Sequence, residues 1–375
     1  MGLLYEGQDI LGKYDVETLI AEGAFGEVYR VKHRFFGRQA MKVFKTVGMT
    51  IEETEQRLGE ASMLSKMEHP NIVRVFDAGT TGTSKGICGF FTMEFVPGGN
   101  LHNFWCNHKD KLIPVETVVD IVQQVCRGLD VAHSKTPPII HRDIKPQNVL
   151  IGYDSAGLRV RLSDFGLAKN VNPLTLRASA KGDPIFKAPE VFHQCEKKPC
   201  DCQKDSCAGD VWALGTILYL LLTDRMPFSE LGDLGIIDRR LLDKPLIPPS
   251  RLNVCVNQLL DEITLRALSV KPEARYPSAR EMLVDLDKWE NNDKSHKTST
   301  KVSQLSGASK DILGEFTVVN KEQAEKMVKE AINLSYKTGK LPEAADILEE
   351  ALNKWPDFRQ QYEYRIKLWR CGKAM

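Results

Sequence analysis

The 375-residue sequence has no apolar run approaching the length of a membrane span, and its first residues lack the basic-then-apolar pattern of a secretory signal. It has no surplus of charge of either sign. Lys plus Arg (51) nearly balance Asp plus Glu (50), and the net charge of +1 gives no global argument for nucleic-acid binding. Met1-Gly2 opens like a myristoylation site, but Glu6 stands where Ser or Thr is required. Nine cysteines, an odd number in a chain without a secretory pattern, argue against a disulfide framework. These absences lead to the expectation of a soluble cytoplasmic protein, with neither nucleic acid nor membrane as a partner. Apolar residues make up 42%, enough for a sizeable core, and the length predicts two or three units.

What is present centres on two short segments. His141-Arg142-Asp143 opens the stretch HRDIKPQN, which closes on Asn148, and Asp164-Phe165-Gly166 follows sixteen residues later. Together they supply a candidate base, a cation and two metal-binding side chains in adjoining loops. Phosphoryl transfer from a metal–nucleotide needs such a set: a carboxylate to orient the acceptor hydroxyl and take its proton, with a cation and metal to spread the charge on the phosphoryl oxygens. Either tripeptide alone is a weak signal. Both in order, with Lys145 and Asn148 in place, form a specific one.

On these residues the chain resembles the eukaryotic-like (Hanks-type) Ser/Thr protein kinases, over about residues 14–290, or about three quarters of its length. The resemblance implies an α+β, bilobal protein kinase-like fold, with a kinase domain at 14–289. Within it a small, mainly β N-lobe spans about 14–95 and a large, mainly α C-lobe about 97–289, the latter with a Cys-rich insertion at 192–208. It implies ATP-dependent phosphorylation of Ser/Thr hydroxyls on protein substrates, with autophosphorylation, using Mg²⁺ or Mn²⁺. A pseudokinase scaffold acting through its tail is the alternative from another class. Intact Lys42, Asp143, Asn148 and Asp164 argue against it. A small-molecule kinase of related fold is a third reading.

Residues 14–46 alternate as strands do, around Ala21-Glu22-Gly23-Ala24-Phe25-Gly26-Glu27-Val28. The family pattern has glycine where Ala21 stands. Gly23 and Gly26 still let backbone approach phosphate closely, with Ala24 and Phe25 between them. The stretch Glu27 to Lys32 reads as strand, whereas a dinucleotide-binding loop would open a helix. By resemblance Lys42 contacts the α- and β-phosphates. It lies in an apolar run, where a free ammonium is expensive, so it needs an anionic partner. Glu60, on an expected helix over 50–67, is the candidate, with Glu53 and Glu55 competing. The resemblance further implies a gatekeeper at Met93, adenine contacts from the backbone of Glu94 and Val96, Asn100 near the ribose, and Val28, Ala40 and Leu150 closing over the base.

In the second half the resemblance makes Asp143 the base, Lys145 the phosphate-neutralising cation typical of Ser/Thr kinases, and Asn148 and Asp164 the metal ligands, whose hard oxygens suit magnesium. His141 and Phe165 are expected to stack with Leu64 and Val75, Arg142 to grip a phosphorylated Thr175 or Ser179, Glu190 to pair with Arg275, and Asp210 to hold the catalytic-loop backbone. One departure stands out: Asp183 replaces the usual threonine in Gly182-Asp183-Pro184. It could bond Lys145 or repel Asp143.

Cys195, Cys200, Cys202 and Cys207 crowd the segment between Glu190 and Asp210. Four thiolates suit a structural zinc, with His193 as a substitute ligand, although the spacing lacks C-x2-C knuckles. Free or redox-active thiols are the other reading. Residues 290–318 are polar and read as a flexible linker. Residues 319–375 read as helical and resemble a tetratricopeptide repeat at Asn333, Tyr336, Lys337, Gly339, Ala344, Ala351 and Pro356, with Ile332 where a small residue is preferred. So short an array cannot readily bury its own faces, and it is expected to pack on the kinase, self-associate or dock a partner. An ordinary helical hairpin is the plainer reading.

Overall fold

The computed structural model describes residues 2–23, 26–45, 67–108, 112–154, 157–165, 184–192, 206–228, 245–304, 326–332, 334–335, 341–354, 366 and 369. It divides into two compact units, Met1–Asp293 and Lys294–Met375.

The first unit opens with a six-stranded antiparallel sheet: β1 (Asp9–Ile10), β2 (Tyr14–Glu22), β3 (Gly26–His33), β4 (Gly37–Phe44), β5 (Val75–Thr83) and β6 (Gly86–Glu94), in the order β1-β2-β3-β4-β6-β5. Strand alternation gives the sheet two separate apolar faces. Tyr29, Val31, Met41, Val43, Cys88 and Phe90 pack on one. Ala40, Phe44, Phe91 and Met93, with Val28 against them, pack on the other. The small lobe begins earlier than the expected residue 14. Leu3 and Leu4, 1% and 5% exposed, fill the first of these faces, because the strands leave apolar surface there that no other described element covers.

The rest of the unit is mainly helical. It contains α1 (Leu101–Cys106), α2 (Val115–His133), a hairpin of β7 (Val149–Asp154) and β8 (Gly157–Leu162), α3 (Cys207–Thr223), α4 (Gln258–Ala267) and the first part of α5 (Ala279–Gln304). α3 is apolar all round, and almost every residue of it is buried, as a helix at the centre of a core must be. It starts at Ser206, whose Oγ accepts from the Gly209 N–H, and stops at Asp224, in the left-handed region at φ 55°. α2 packs its buried face, including Val118, Val122, Val125 and Leu129, into the same core.

Backbone contacts at two places flank the sheet where it meets the large lobe. Val73 N–H donates to Leu162 O and Leu162 N–H to Asn71 O, each at 2.9 Å. Further on, Ile151 N–H donates to Gly99 O at 2.9 Å, and a Cβ on Gly98 would run into the backbone of Ile151, so glycine is required there.

The linker expected from residue 290 is helical as far as Gln304, as the continuation of α5. Its composition is polar, but no Gly or Pro interrupts 279–304, so nothing stops the helix. In the second unit a helical stretch at 326–332 packs through Val328 and Ala331 on α6 (Leu341–Lys354), against Ala344, Ala345, Leu348 and Ala351, with Ile366 and Trp369 in the same cluster. Ala331, one residue before Ile332, is the small residue at that contact. Among the described residues no helix is long and apolar enough to cross a membrane.

Candidate active site

The catalytic-loop geometry starts from Asp210 in the first turn of α3. Buried to 2% exposure, its carboxylate accepts from His141 N–H (2.7 Å) and Arg142 N–H (2.9 Å). Arg142 sits at φ 67°, a left-handed conformation costly for a residue with a side chain, and the two bonds hold it there. His133, at the end of α2, contacts the same carboxylate at 3.1 Å.

The His141 imidazole is fully buried. Its Nε2–H donates to Ser163 O (3.0 Å), and its Nδ1 accepts from Asp143 N–H (3.3 Å). This pattern uses the neutral ring, in keeping with burial that pushes its pKa down. Phe165 lies 4.5 Å from it, ring to ring. The expected column is thus present at His141 and Phe165, with Val75 packed on the same core, while Leu64 lies outside the described residues.

Asp143 is brought together with Lys145 and Asn148. Its Oδ2 accepts from Lys145 Nζ (2.7 Å) and Asn148 Nδ2 (3.0 Å), and Asn148 Nδ2 also donates to its carbonyl oxygen (2.7 Å). Lys187 Nζ approaches Oδ1 at 3.5 Å and donates to Arg142 O at 2.5 Å. Burial pushes the Asp143 carboxyl up, but Lys145 and Lys187 outweigh it and hold the group below its ordinary value. Lys187 was not among the expected site residues. Its only sequence signal is a lysine three residues ahead of Glu190, in a loop that the motifs already carry to the catalytic centre.

Across the cleft, Lys42 is 7% exposed and its Nζ donates to Asp164 Oδ1 at 2.5 Å, so the anionic partner it requires is present among the described residues. Asp164 lies at φ 61°, in the left-handed region. Ser163 N–H and Oγ both bond Asn148 O, at 2.9 and 3.1 Å, and tie the two motif loops together. Asn148 spends its amide N–H groups on Asp143, which leaves its Oδ1 to pair with the Asp164 carboxylate as hard oxygen donors of the kind a divalent cation takes.

Above these groups Val28 and Leu150 pack with Ala40, Phe91 and Met93 in one apolar cluster. Val96 is buried beside it, and the Glu94 side chain pairs with Arg161 at 2.8 Å. Gly23 N–H bonds Gly26 O at 2.9 Å at the neck of the glycine-bearing loop. The Asn100 Oδ1, expected near a ribose, caps α1 by accepting from Asn103 N–H (2.9 Å), as an Asn at the N-cap position does.

Glu190 and Arg275 form the expected pair, bidentate at 2.7 Å on both arms. Cys207 is the first residue of α3, with its thiol against His133. Among the described residues no group of three or more His, Cys, Asp or Glu could hold a metal ion. Ala24, Phe25, Glu60, Thr175, Ser179, Asp183, Cys195, Cys200 and Cys202 lie outside the described residues.

Comparison with known proteins places this geometry. The chain is 33% identical over 279 residues to the serine/threonine-protein kinase PknB of Mycobacterium leprae, a match covering 73% of this chain and 42% of the relative. It is 29% identical over 290 residues to a probable serine/threonine-protein kinase of Clostridium acetobutylicum, covering 76% and 41% respectively. The chain thus spans about two fifths of these relatives' length. Among solved structures, the PknI kinase domain of Mycobacterium tuberculosis superposes with a TM-score of 0.53 at 27% identity, over 76% of this chain and 99% of that one. The protein kinase domain model matches residues 14–359, and the chain belongs to the protein kinase family.

Proposed function

We propose that the chain is an ATP-dependent serine/threonine protein kinase. The observation that carries this reading is the Asp143 cluster: a carboxylate bonded by Lys145 at 2.7 Å and Asn148 at 3.0 Å, tied through Ser163 to the Asp164–Lys42 pair. The acceptor hydroxyl is oriented by Asp143. Its oxygen forms the new bond to the γ-phosphorus while the bond to the ADP oxygen breaks, and the hydroxyl proton passes to the carboxylate. A carboxylate with depressed pKa is ionised and ready to accept the hydroxyl's hydrogen bond, and it takes the proton late, as the loose transition state of this reaction allows. Lys145, beside it, neutralises charge on the phosphoryl group in transfer. Lys42 binds the α- and β-phosphates once nucleotide loosens its contact with Asp164. Magnesium would be held by Asn148 and Asp164, where it supplies charge neutralisation between the phosphates.

Support for protein as the acceptor comes from the Glu190–Arg275 contact, which fixes the loop after the activation segment against the large lobe. The helical pair of the second unit, joined through Ala331, Ala344 and Ala345, is read as a tetratricopeptide-like unit that docks a partner.

Incubation of the purified chain with labelled ATP, Mg²⁺ and a protein substrate, beside an Asp143→Ala control, is the test. Label on the wild type alone is expected. Equal label on both ends the kinase reading, and label found only on metabolites favours a small-molecule kinase.

A further inference from the structure

The residues before β1 form a strap across the back of the nucleotide hairpin. Leu3 N–H donates to Glu27 Oε2 (2.7 Å), and Leu4 N–H donates to the Tyr29 hydroxyl (2.9 Å). The Tyr29 hydroxyl in turn donates to the same Glu27 oxygen. The other edge of the strap is pinned to the β5–β6 hairpin: Ser84 Oγ donates to Gly2 O (3.1 Å), Ser84 N–H to Leu3 O (2.9 Å), and Gln8 Nε2 to Gly82 O (3.1 Å).

Glu27 is 4% exposed, and the partners just named are backbone and hydroxyl groups rather than a cation. A carboxylate is an expensive group to bury only for packing. Its place in the strand explains what it does. Glu27 and Tyr29 point to the face that Leu3 and Leu4 fill, and Val28, between them, points to the opposite face with Ala40 and Met93. The strap therefore grips β3 one residue to either side of the side chain expected to roof the base.

The front of the hairpin is also held. A Cβ on Gly26 would stand 2.5 Å from Val43 O, so β3 and β4 approach closely at that point. With Ala21 in place of the usual first glycine and paired to Val28, the hairpin has little freedom left to adjust around a nucleotide. Its affinity then depends on where it is set beforehand.

We propose that the strap Gly2–Leu4, acting through Glu27 and Tyr29, sets the nucleotide hairpin in its ATP-binding position, so that Glu27 is a positioning residue for the nucleotide. This rests on the kinase reading for the identity of the ligand.

The test uses the full chain with Glu27→Leu, Glu27→Gln and Gly2→Leu. Glu27→Leu strips the acceptor from Leu3 and Tyr29. Gly2→Leu leaves the sheet intact but displaces the strap, because a Cβ there would lie 2.8 Å from the Tyr29 hydroxyl oxygen. Both are expected to raise KM for ATP about fivefold to tenfold, the loss expected for one ordinary hydrogen bond, with kcat and the KM for peptide within about twofold of wild type. Glu27→Gln keeps an acceptor oxygen and should recover most of the affinity. Unchanged KM for ATP in a folded variant overturns the proposal, and so does a proportional change in all three constants. If Glu27→Leu does not fold, Gly2→Leu decides alone.

Calorimetric titration of each protein with Mg-ATP separates this proposal from the reading it rests on. A wild type that binds Mg-ATP but labels no substrate defeats the kinase assignment, and the variant dissociation constants still decide on the strap. Equal dissociation constants in all four proteins defeat the strap.

Discussion

Asp210→Ala removes the anchor of the catalytic loop, and its effect can be worked from the contacts. The carboxylate accepts from two backbone N–H groups, of His141 and Arg142, and touches His133. Each charge-assisted bond contributes about 1.5–3 kcal/mol, so the two backbone bonds together supply roughly 3–6 kcal/mol. Against this stands Arg142 at φ 67°, a conformation that costs about 1–2 kcal/mol for a residue with a side chain. The bonds outweigh the strain by a few kcal/mol, and the loop stays in place. Without the carboxylate the balance reverses, the Arg142 backbone relaxes toward negative φ, and Asp143, the next residue, turns with it.

Unfolding in urea should then show a loss of roughly 3–5 kcal/mol, the cost of leaving buried partners without their anion. A shift of Asp143 by about 1 Å is enough to lower kcat on a peptide at least 100-fold. Asp210→Asn should fall between, since it keeps one acceptor but turns an N–H₂ toward the other donor. A folded Asp210→Ala protein with kcat within about threefold of wild type would refute the reasoning, because the loop would then hold its shape without the anchor.

Glu190→Ala leaves the Arg275 guanidinium, wholly buried and stacked on Trp212, with backbone carbonyls but no counter-ion. A loss of roughly 3 kcal/mol is expected, with the melting temperature falling about 2–4 °C for each kcal/mol, and a melting temperature within about 2 °C of wild type would count against the bidentate pair. In the small lobe, burial pushes the Asp77 carboxyl up, but the Tyr14 hydroxyl, the Ala78 N–H and Lys13 outweigh it and hold the group below its ordinary value. A depressed carboxyl contributes stability that is present above its unfolded pKa and lost as pH falls through the folded one. Urea midpoints measured from about pH 6 down to about pH 3 should therefore fall less steeply for Asp77→Asn than for wild type, and parallel curves would rule the contribution out.

The catalytic centre was legible because its residues sit in two short motifs whose spacing fixes their register. Asp143, Lys145, Asn148 and Asp164 meet as that register requires, and Glu190 meets Arg275 although 85 positions separate them. Local chemistry carried less. Leu3 and Leu4 show no periodicity that distinguishes a strap from a ragged terminus, and only the sheet they cover reveals their burial. Lys187 reads as a surface lysine until the loop brings it to Asp143. Asn100 was assigned by position along the chain; an Asn just ahead of a helical turn is also a strong capping signal, and its side-chain oxygen caps α1. In α5 polar composition suggested a linker, where the lack of any breaker was the better guide.

The contacts at Asn71–Val73 with Leu162, and at Gly98–Gly99 with Ile151, have a mechanical consequence. A body whose backbone is held at two separated places resists sliding and twisting and keeps one easy rotation, about the line joining them, restrained only by side-chain pairs such as Glu94–Arg161 and Lys42–Asp164. The sheet should therefore rock over the helical lobe as on an axle rather than shear across it. Lys42 and Asp164 sit on opposite sides of the cleft that this rotation opens, so the distance between them is a natural gauge of the angle.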